Sequence, residues 1–251
     1  MRNDESKMGL RLLWPRWNNH RLIVTILILA WSLFYLPSVI ADTSCKVPTQ
    51  LESWDYNSTK AINRGKDWRN SSVKTDYWML SLSWSKAYCD KFTFGNIPKD
   101  AQHQCRDNDF GLVVHGLWAQ SRQAGKNHKA HPRNCRDTVA VPVKVLREHI
   151  CQVPGIKLMQ KEWEKHGSCD FSSPADYFGQ TDMLYRQLKL PSREELLGLE
   201  YGSWKKVKQK ILELNRDIGL RSEHLFVEFK KKRLREVRVC YDLRYKFTAC
   251  N

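Results

Sequence analysis

The sequence predicts an α+β fold, a single domain with a mostly antiparallel central sheet flanked by helices and stapled by disulfides. Three observations carry that prediction. Segments alternating with a period of two are interleaved with segments of helical period, without the regular strand–helix–strand rhythm of a parallel sheet. With 41% hydrophobic and 11% aromatic residues the chain can bury a core, which excludes intrinsic disorder as its general state. All eight cysteines (Cys45, Cys89, Cys105, Cys135, Cys151, Cys169, Cys240 and Cys250) lie beyond residue 41, an even number behind an export-type leader.

Residues 1–41 read as that leader, a signal peptide. A basic, polar stretch ending at Arg21 runs into an apolar segment, Leu22–Leu36, and Val39 and Ala41 supply the small residues a signal-peptidase cut requires. Thr25, Ser32 and Pro37 leave the run too short and interrupted for a comfortable membrane span. An uncleaved anchor is the alternative, because the stretch before the apolar run is long. The expected destination is the periplasm or the extracellular space, or a vacuole or lysosome in a eukaryote. No stable membrane partner is expected once the leader is removed. Zinc would need close cysteine pairs such as C-x₂-C, and none is present.

The domain is expected over 42–251, opening on a polar, irregular segment to about residue 75 (Asn57-Ser58-Thr59, Asn70-Ser71-Ser72). Trp78, Leu80, Leu82 and Trp84 alternate with Met79, Ser81 and Ser83, the pattern of a strand with one face in the core. Phe110–Leu117 is a short apolar, β-branched run that predicts a second, central strand with His115 near its end. Helices are predicted over Val141–Cys151 and Met159–His166, divided by Pro154-Gly155. Ser173-Pro174 is a polar cap with proline in the first turn, opening a helix over Ala175–Leu188. Trp204–Ile218 carries Val207, Ile211, Leu214 and Ile218 at helical spacing, with Lys205, Lys206, Lys208 and Lys210 outside. Leu225–Phe229 and Leu234–Leu243 alternate as strands around the basic turn Lys230–Arg233.

The chain holds 42 Lys and Arg against 27 Asp and Glu, a formal charge of +15. Only five of the basic and two of the acidic residues fall in 1–41, so the basic character belongs to the domain. Such a surplus favours polyanionic partners, because bound lysines and arginines release condensed counterions. Charge alone does not choose between RNA, DNA and an anionic membrane, and it suits plain solubility as well.

Two segments concentrate chemistry: Val114-His115-Gly116-Leu117-Trp118, and Lys161-Glu162-Trp163-Glu164-Lys165-His166-Gly167-Ser168-Cys169. In the second, Glu162, Lys165 and His166 stand at i, i+3 and i+4, one face of a helix. Gly167 predicts a helix end there, leaving His166 at a terminus that reaches into a cleft. Taken singly, such residues are ordinary: a structural histidine, a solvated helix face, packing tryptophans. Their combination is not.

Together the segments resemble the ribonuclease T2 family of acid, transferase-type ribonucleases. In that family one catalytic segment reads His-Gly-Leu-Trp-Pro after an apolar strand, and the other His-Glu-Trp-x-Lys-His-Gly-Thr-Cys. The match here runs from Phe110 to Trp118 and from Glu162 to Cys169, with Ser168 for threonine. It extends to Tyr77–Trp84 with Cys89, His131-Pro132-Arg133-Asn134-Cys135, and Arg235–Cys240, and so spans roughly residues 77–250 in order. Two further positions depart. Ala119 replaces the motif proline, which loosens the loop but removes no chemical group. Lys161 replaces a histidine that helps hold the phosphate, and a lysine supplies a point charge without titrating near neutrality.

The resemblance implies a metal-independent endoribonuclease with RNA as partner and no cofactor. RNA carries its own nucleophile, the 2′-OH, so a base, an acid and stabilising donors suffice. His166 would be the base and His115 the acid, with Glu162 and Lys165 stabilising the transition state and setting imidazole protonation. Lys161 would hold phosphate, Trp118 is a candidate stacking surface for a base, and Gln120 stands where the family often discriminates bases. The products would be a 2′,3′-cyclic phosphate and then a 3′-phosphate, and DNA would be spared. The resemblance also implies the bridges Cys135–Cys169, Cys240–Cys250 and Cys89–Cys105, which leaves Cys45 with Cys151; the sequence alone allows on the order of 100 connectivities.

Other readings stay open. A catalytically silent, secreted RNA- or polyanion-binding protein of the same fold is one, although His115, Glu162 and His166 are all intact. A metal-dependent nuclease lacks any carboxylate cluster of metal-ligand character. A membrane-surface protein would lean on Lys205–Lys210 and Lys230–Arg235, which read more simply as a solvated helix face and a turn.

Overall fold

Each strand follows from the alternation in its sequence. The computed structural model describes residues 45–93, 95–125 and 127–250; the expected leader lies outside them. The strands are β1 (Tyr77–Trp84), β2 (Leu112–Gln120), β3 (Leu225–Lys230) and β4 (Arg233–Tyr241). They form one antiparallel sheet in the order β2-β1-β4-β3. Period-two alternation gives this sheet two chemically distinct faces. Leu80, Leu82, Trp84, Val114, Leu117, Val237, Val239, Leu225 and Val227 share the core face. Each such side chain withdrawn from water contributes about 2 kcal/mol. The opposite face carries Ser81, Ser83, Phe226, Glu228, Glu236 and Arg238, and there the candidate site lies.

One expectation is corrected here: β2 lies at the sheet edge, not its centre. Its apolar run reads as central because the outer edge is covered, the Val114 N–H donating to the Gln152 carbonyl at 2.9 Å. The β3–β4 turn is tighter than the basic run suggested. Lys230 pairs with Arg233, and Lys231 and Lys232 alone turn the chain, both at positive φ.

The helices are α1 (Ser58–Asn63), α2 (Ser85–Cys89), α3 (Lys99–Cys105), α4 (Val143–His149), α5 (Ile156–Glu162), α6 (Ser168–Asp170), α7 (Pro174–Gln187), α8 (Arg193–Leu199) and α9 (Trp204–Leu214). In α7 the Ser173 hydroxyl caps Asp176 N–H, as Ser173-Pro174 implied, and Tyr177, Phe178 and Leu184 pack into the core. Val207 and Ile211 of α9 do the same. Between α5 and α6 the chain makes a π-helical turn, Trp163–Gly167. Gly167 therefore does not end the helix. It keeps helical backbone angles, and glycine is needed because a Cβ would stand 2.5 Å from the Trp163 ring and 2.8 Å from Tyr177.

Four disulfides form, in the pairs the resemblance implied: Cys45–Cys151, Cys89–Cys105, Cys135–Cys169 and Cys240–Cys250. Cys135–Cys169 ties the loop after β2 to the end of the α5–α6 helical run, and Cys45–Cys151 closes a loop of 106 residues. Constraining long loops in the unfolded chain is where such bridges gain most of their effect. Among the described residues no helix is long and apolar enough to cross a membrane.

Candidate active site

His115 owes its position to an irregularity. Leu82 faces Val114 and Ser81 faces Gly116, so His115 is an extra residue on β2, a β-bulge. In a regular strand His115 and Trp118 would point to opposite faces. The bulge turns both toward the polar face, while Val114 and Leu117 both stay in the core. There His115 Nδ1 is 2.8 Å from Glu236 Oε1 and 3.4 Å from Ser83 Oγ. Its Nε2 stands 3.8 Å from Glu162 Oε1.

The second set comes from the end of α5 and the π turn. Glu162 is buried; its Oε2 accepts from Trp118 Nε1 at 2.7 Å and lies 3.8 Å from His166 Nε2. One carboxylate thus stands between two imidazoles. The Trp118 ring is packed against both, 5.2 Å from His115 and 5.8 Å from His166. Gly116 makes this approach feasible, since a Cβ there would lie 2.3 Å from Glu162 Oε2 and 2.9 Å from Trp118 Nε1. His166 is only 9% exposed, with Nδ1 unpartnered among the described residues and Nε2 3.4 Å from Arg133 Nη1.

The other residues singled out in the sequence are placed as follows. Lys161 and Trp118 line a cleft of about 490 Å³ together with His115, Glu236 and Arg238. The Lys161 ammonium lies over the Trp54 and Tyr56 rings. Lys165 turns to Asp67, 3.5 Å away, and over the Tyr56 ring. Gln120 is buried at the end of β2, donating to the Ala119 carbonyl, and has no hydrogen bond to the two histidines. A larger groove, about 670 Å³, runs along α9 past Trp204 and Arg216 and contains none of these residues.

Sequence reasoning did not single out Glu236, Arg133, Asp67 or Arg238. Arg238 is held by Glu228 and Glu236, both at 2.6 Å, with its guanidinium 5.5 Å from the Trp118 ring centre. Arg133 and Glu236 lie inside segments that matched the family, but a sequence does not show which imidazole a charged residue will meet. Asp67 had no signal at all.

The surroundings push the two imidazoles apart. Burial alone would lower the pKa of His115, but the Glu236 hydrogen bond and the charges of Glu162 and Glu236 outweigh it and the net shift is upward. Burial lowers His166, and Arg133, Lys165 and His115 lower it further, well below the ordinary imidazole value. Burial by itself would raise the Glu236 carboxyl; its bond to His115 and the Arg238 charge bring it down to about 2. Lys165 is lowered by burial first and by Arg133 next. The arrangement therefore holds two imidazoles on either side of the Glu162 side chain, one whose surroundings favour its proton and one whose surroundings disfavour it.

Comparison with known proteins shows the family. The profile described as the Ribonuclease T2 family matches residues 75–250. The chain is 37% identical over 191 residues to a probable ribonuclease of Haemophilus influenzae, covering 72% of this chain and 63% of that protein. It is 29% identical over 133 residues to a ribonuclease of Aeromonas hydrophila, covering 50% and 55% respectively. The chain thus spans less than two thirds of the length of these relatives. Among solved structures, an RNase-related protein from Calystegia sepium shares the fold, with a TM-score of 0.52 at 19% identity over 71% of this chain and 91% of that one. With a family profile covering most of its length, the chain belongs to the ribonuclease T2 family.

Proposed function

We propose that the protein is an exported, metal-independent endoribonuclease that cleaves single-stranded RNA through the substrate's own 2′-OH. The observation that carries this reading is the buried Glu162 carboxyl group standing 3.8 Å from the Nε2 of both His115 and His166, whose surroundings shift the two imidazoles in opposite directions. Titratable pairs whose environments drive them apart are the equipment of acid–base catalysis. His166 Nε2 takes the 2′-OH proton, the 2′-oxygen attacks phosphorus, and the 5′-oxygen leaves with the proton of His115 Nε2. Glu236, on the far side of the His115 ring, keeps that imidazole charged and oriented until the proton is needed. Glu162 balances the charge that moves from His115 to His166. The 2′,3′-cyclic product is then opened by water with the two roles exchanged, giving a 3′-phosphate.

Lys161, at the cleft, supplies a phosphate-facing cation in place of a third imidazole, so the pH–rate profile should show two titrating groups rather than three. Export rests on the apolar run Leu22–Leu36 with Val39 and Ala41, and on the four disulfides. The reading is tested by incubating the oxidised protein with a defined RNA and its DNA counterpart in excess EDTA and weighing the products. RNA fragments with 2′,3′-cyclic ends and intact DNA are expected. A folded, disulfide-bonded sample that cuts no RNA from acidic to neutral pH would favour a polyanion-binding protein instead.

A further inference from the structure

The family match begins at residue 75, but the wall of the site begins earlier. Tyr56 and Asp67 belong to the preceding segment. The Asp67 carboxylate is 1% exposed and accepts from the Tyr56 hydroxyl at 2.6 Å, the Trp68 N–H at 2.9 Å, Arg133 Nε at 2.7 Å and Arg133 Nη2 at 3.4 Å. Lys165 Nζ is 3.5 Å away. The Arg133 guanidinium also lies over the Trp68 ring, 4.2 Å from its centre. The segment is itself pinned: Ser58 N–H donates to Glu164 Oε1 at 2.5 Å, Asn134 Nδ2 to the Trp68 carbonyl at 2.7 Å, and Asn70 bridges to Arg133 through the backbone.

We propose that this segment is an integral wall of the active site, in which Asp67 is a positioning residue that aims Arg133 as a phosphate-facing cation beside the base nitrogen of His166. The geometry of the guanidinium fork supports it. Asp67 occupies the Nε and Nη2 side, which leaves Nη1 directed at His166 Nε2, 3.4 Å away, where a scissile phosphate would stand. Without a buried carboxylate behind it, a guanidinium would leave a pocket already occupied by Lys165. Burial would raise the Asp67 carboxyl, but its bonds to Arg133 and Tyr56 hold it well below the carboxylate range, so it remains an anion throughout the working pH. The proposal rests on the RNA-cleavage reading above for the identity of the phosphate.

The test uses the full chain with Asp67→Asn, Arg133→Met, the double variant and Tyr56→Phe. Asp67→Asn should lower kcat about 10- to 100-fold with KM changed far less, the size of effect that a misplaced catalytic group produces. In the Arg133→Met background it should add little, because it acts through that residue. NMR titration of His166 gives a readout independent of turnover. The charged groups around this imidazole are Glu162, Arg133, Lys165, His115 and Asp67. Losing only the Asp67 charge would lower the His166 transition further, whereas releasing Arg133, the larger influence, would raise it. An upward shift is therefore expected, and a smaller one in Tyr56→Phe, which removes a single bond to Asp67 and serves if Asp67→Asn does not fold. A downward or absent shift, or a loss in kcat that adds fully to that of Arg133→Met, overturns the proposal. Wild-type protein that cleaves no RNA overturns the cleavage reading instead, and the His166 titration still reports on Asp67.

Discussion

His166→Ala is expected to lower kcat for RNA cleavage by about 10³-fold with little change in KM, since a general base contributes roughly 10²- to 10⁴-fold. The imidazole makes no hydrogen bond that the fold needs: Nδ1 is unpartnered among the described residues, and Nε2 faces Arg133 and Glu162. His115→Ala should cost a similar factor, and the double variant much less than the product, because the two residues act as a unit. The roles separate on a uridine 3′-phosphodiester with a good leaving group such as p-nitrophenol. A substrate that needs no protonation of its leaving oxygen should restore most of the activity of His115→Ala and little of that of His166→Ala. Restoration of His166→Ala alone would reverse the assignment.

Gly116→Ala should be nearly as damaging without removing any chemical group. The added methyl would lie 2.3 Å from Glu162 Oε2 and 3.1 Å from its Cδ, and the buried carboxylate cannot retreat without giving up Trp118 Nε1. Either Glu162 leaves both imidazoles or the bulge that aims His115 is distorted. A fall in kcat of about 10²-fold is expected, with a loss of about 1–3 kcal/mol in stability from overpacking. Denaturant melts beside steady-state kinetics read both. Unchanged kinetics would mean that the spacing of Glu162 and Trp118 does not matter to turnover.

The positions of the main elements were legible because the signals were local. Tyr77–Trp84 alternates cleanly and is β1 without a shift, and Ser173-Pro174 caps α7. The capping box of α8, Ser192 with Glu195, was equally local, although apolar periodicity did not register that short helix. What remained hidden depends on tertiary geometry. The edge position of β2 was masked by Gln152 covering its outer side. Gly167 looked like a helix stop because crowding by Trp163 and Tyr177 leaves no trace at that position in the sequence. In the site, His115, Glu162 and His166 came from compact motifs, and the fold brings them together. Glu236 meets His115 across 121 residues, and Asp67 meets Arg133 across 66, so neither pairing could be read from spacing.

The division of labour between the two imidazoles is tested most directly by NMR titration of His115 and His166 in the folded, wild-type protein. The sign follows from their surroundings: against burial, Glu236 and Glu162 favour the proton on His115, while burial and Arg133 disfavour one on His166. The His115 transition should fall above the ordinary imidazole value of about 6.5 and the His166 transition well below it, bracketing the range over which RNA is cut. Glu236→Gln should bring the His115 transition down and the alkaline limb of activity with it. Both imidazoles titrating near their ordinary value, or His166 above His115, would contradict the assignment of His166 as base and His115 as acid.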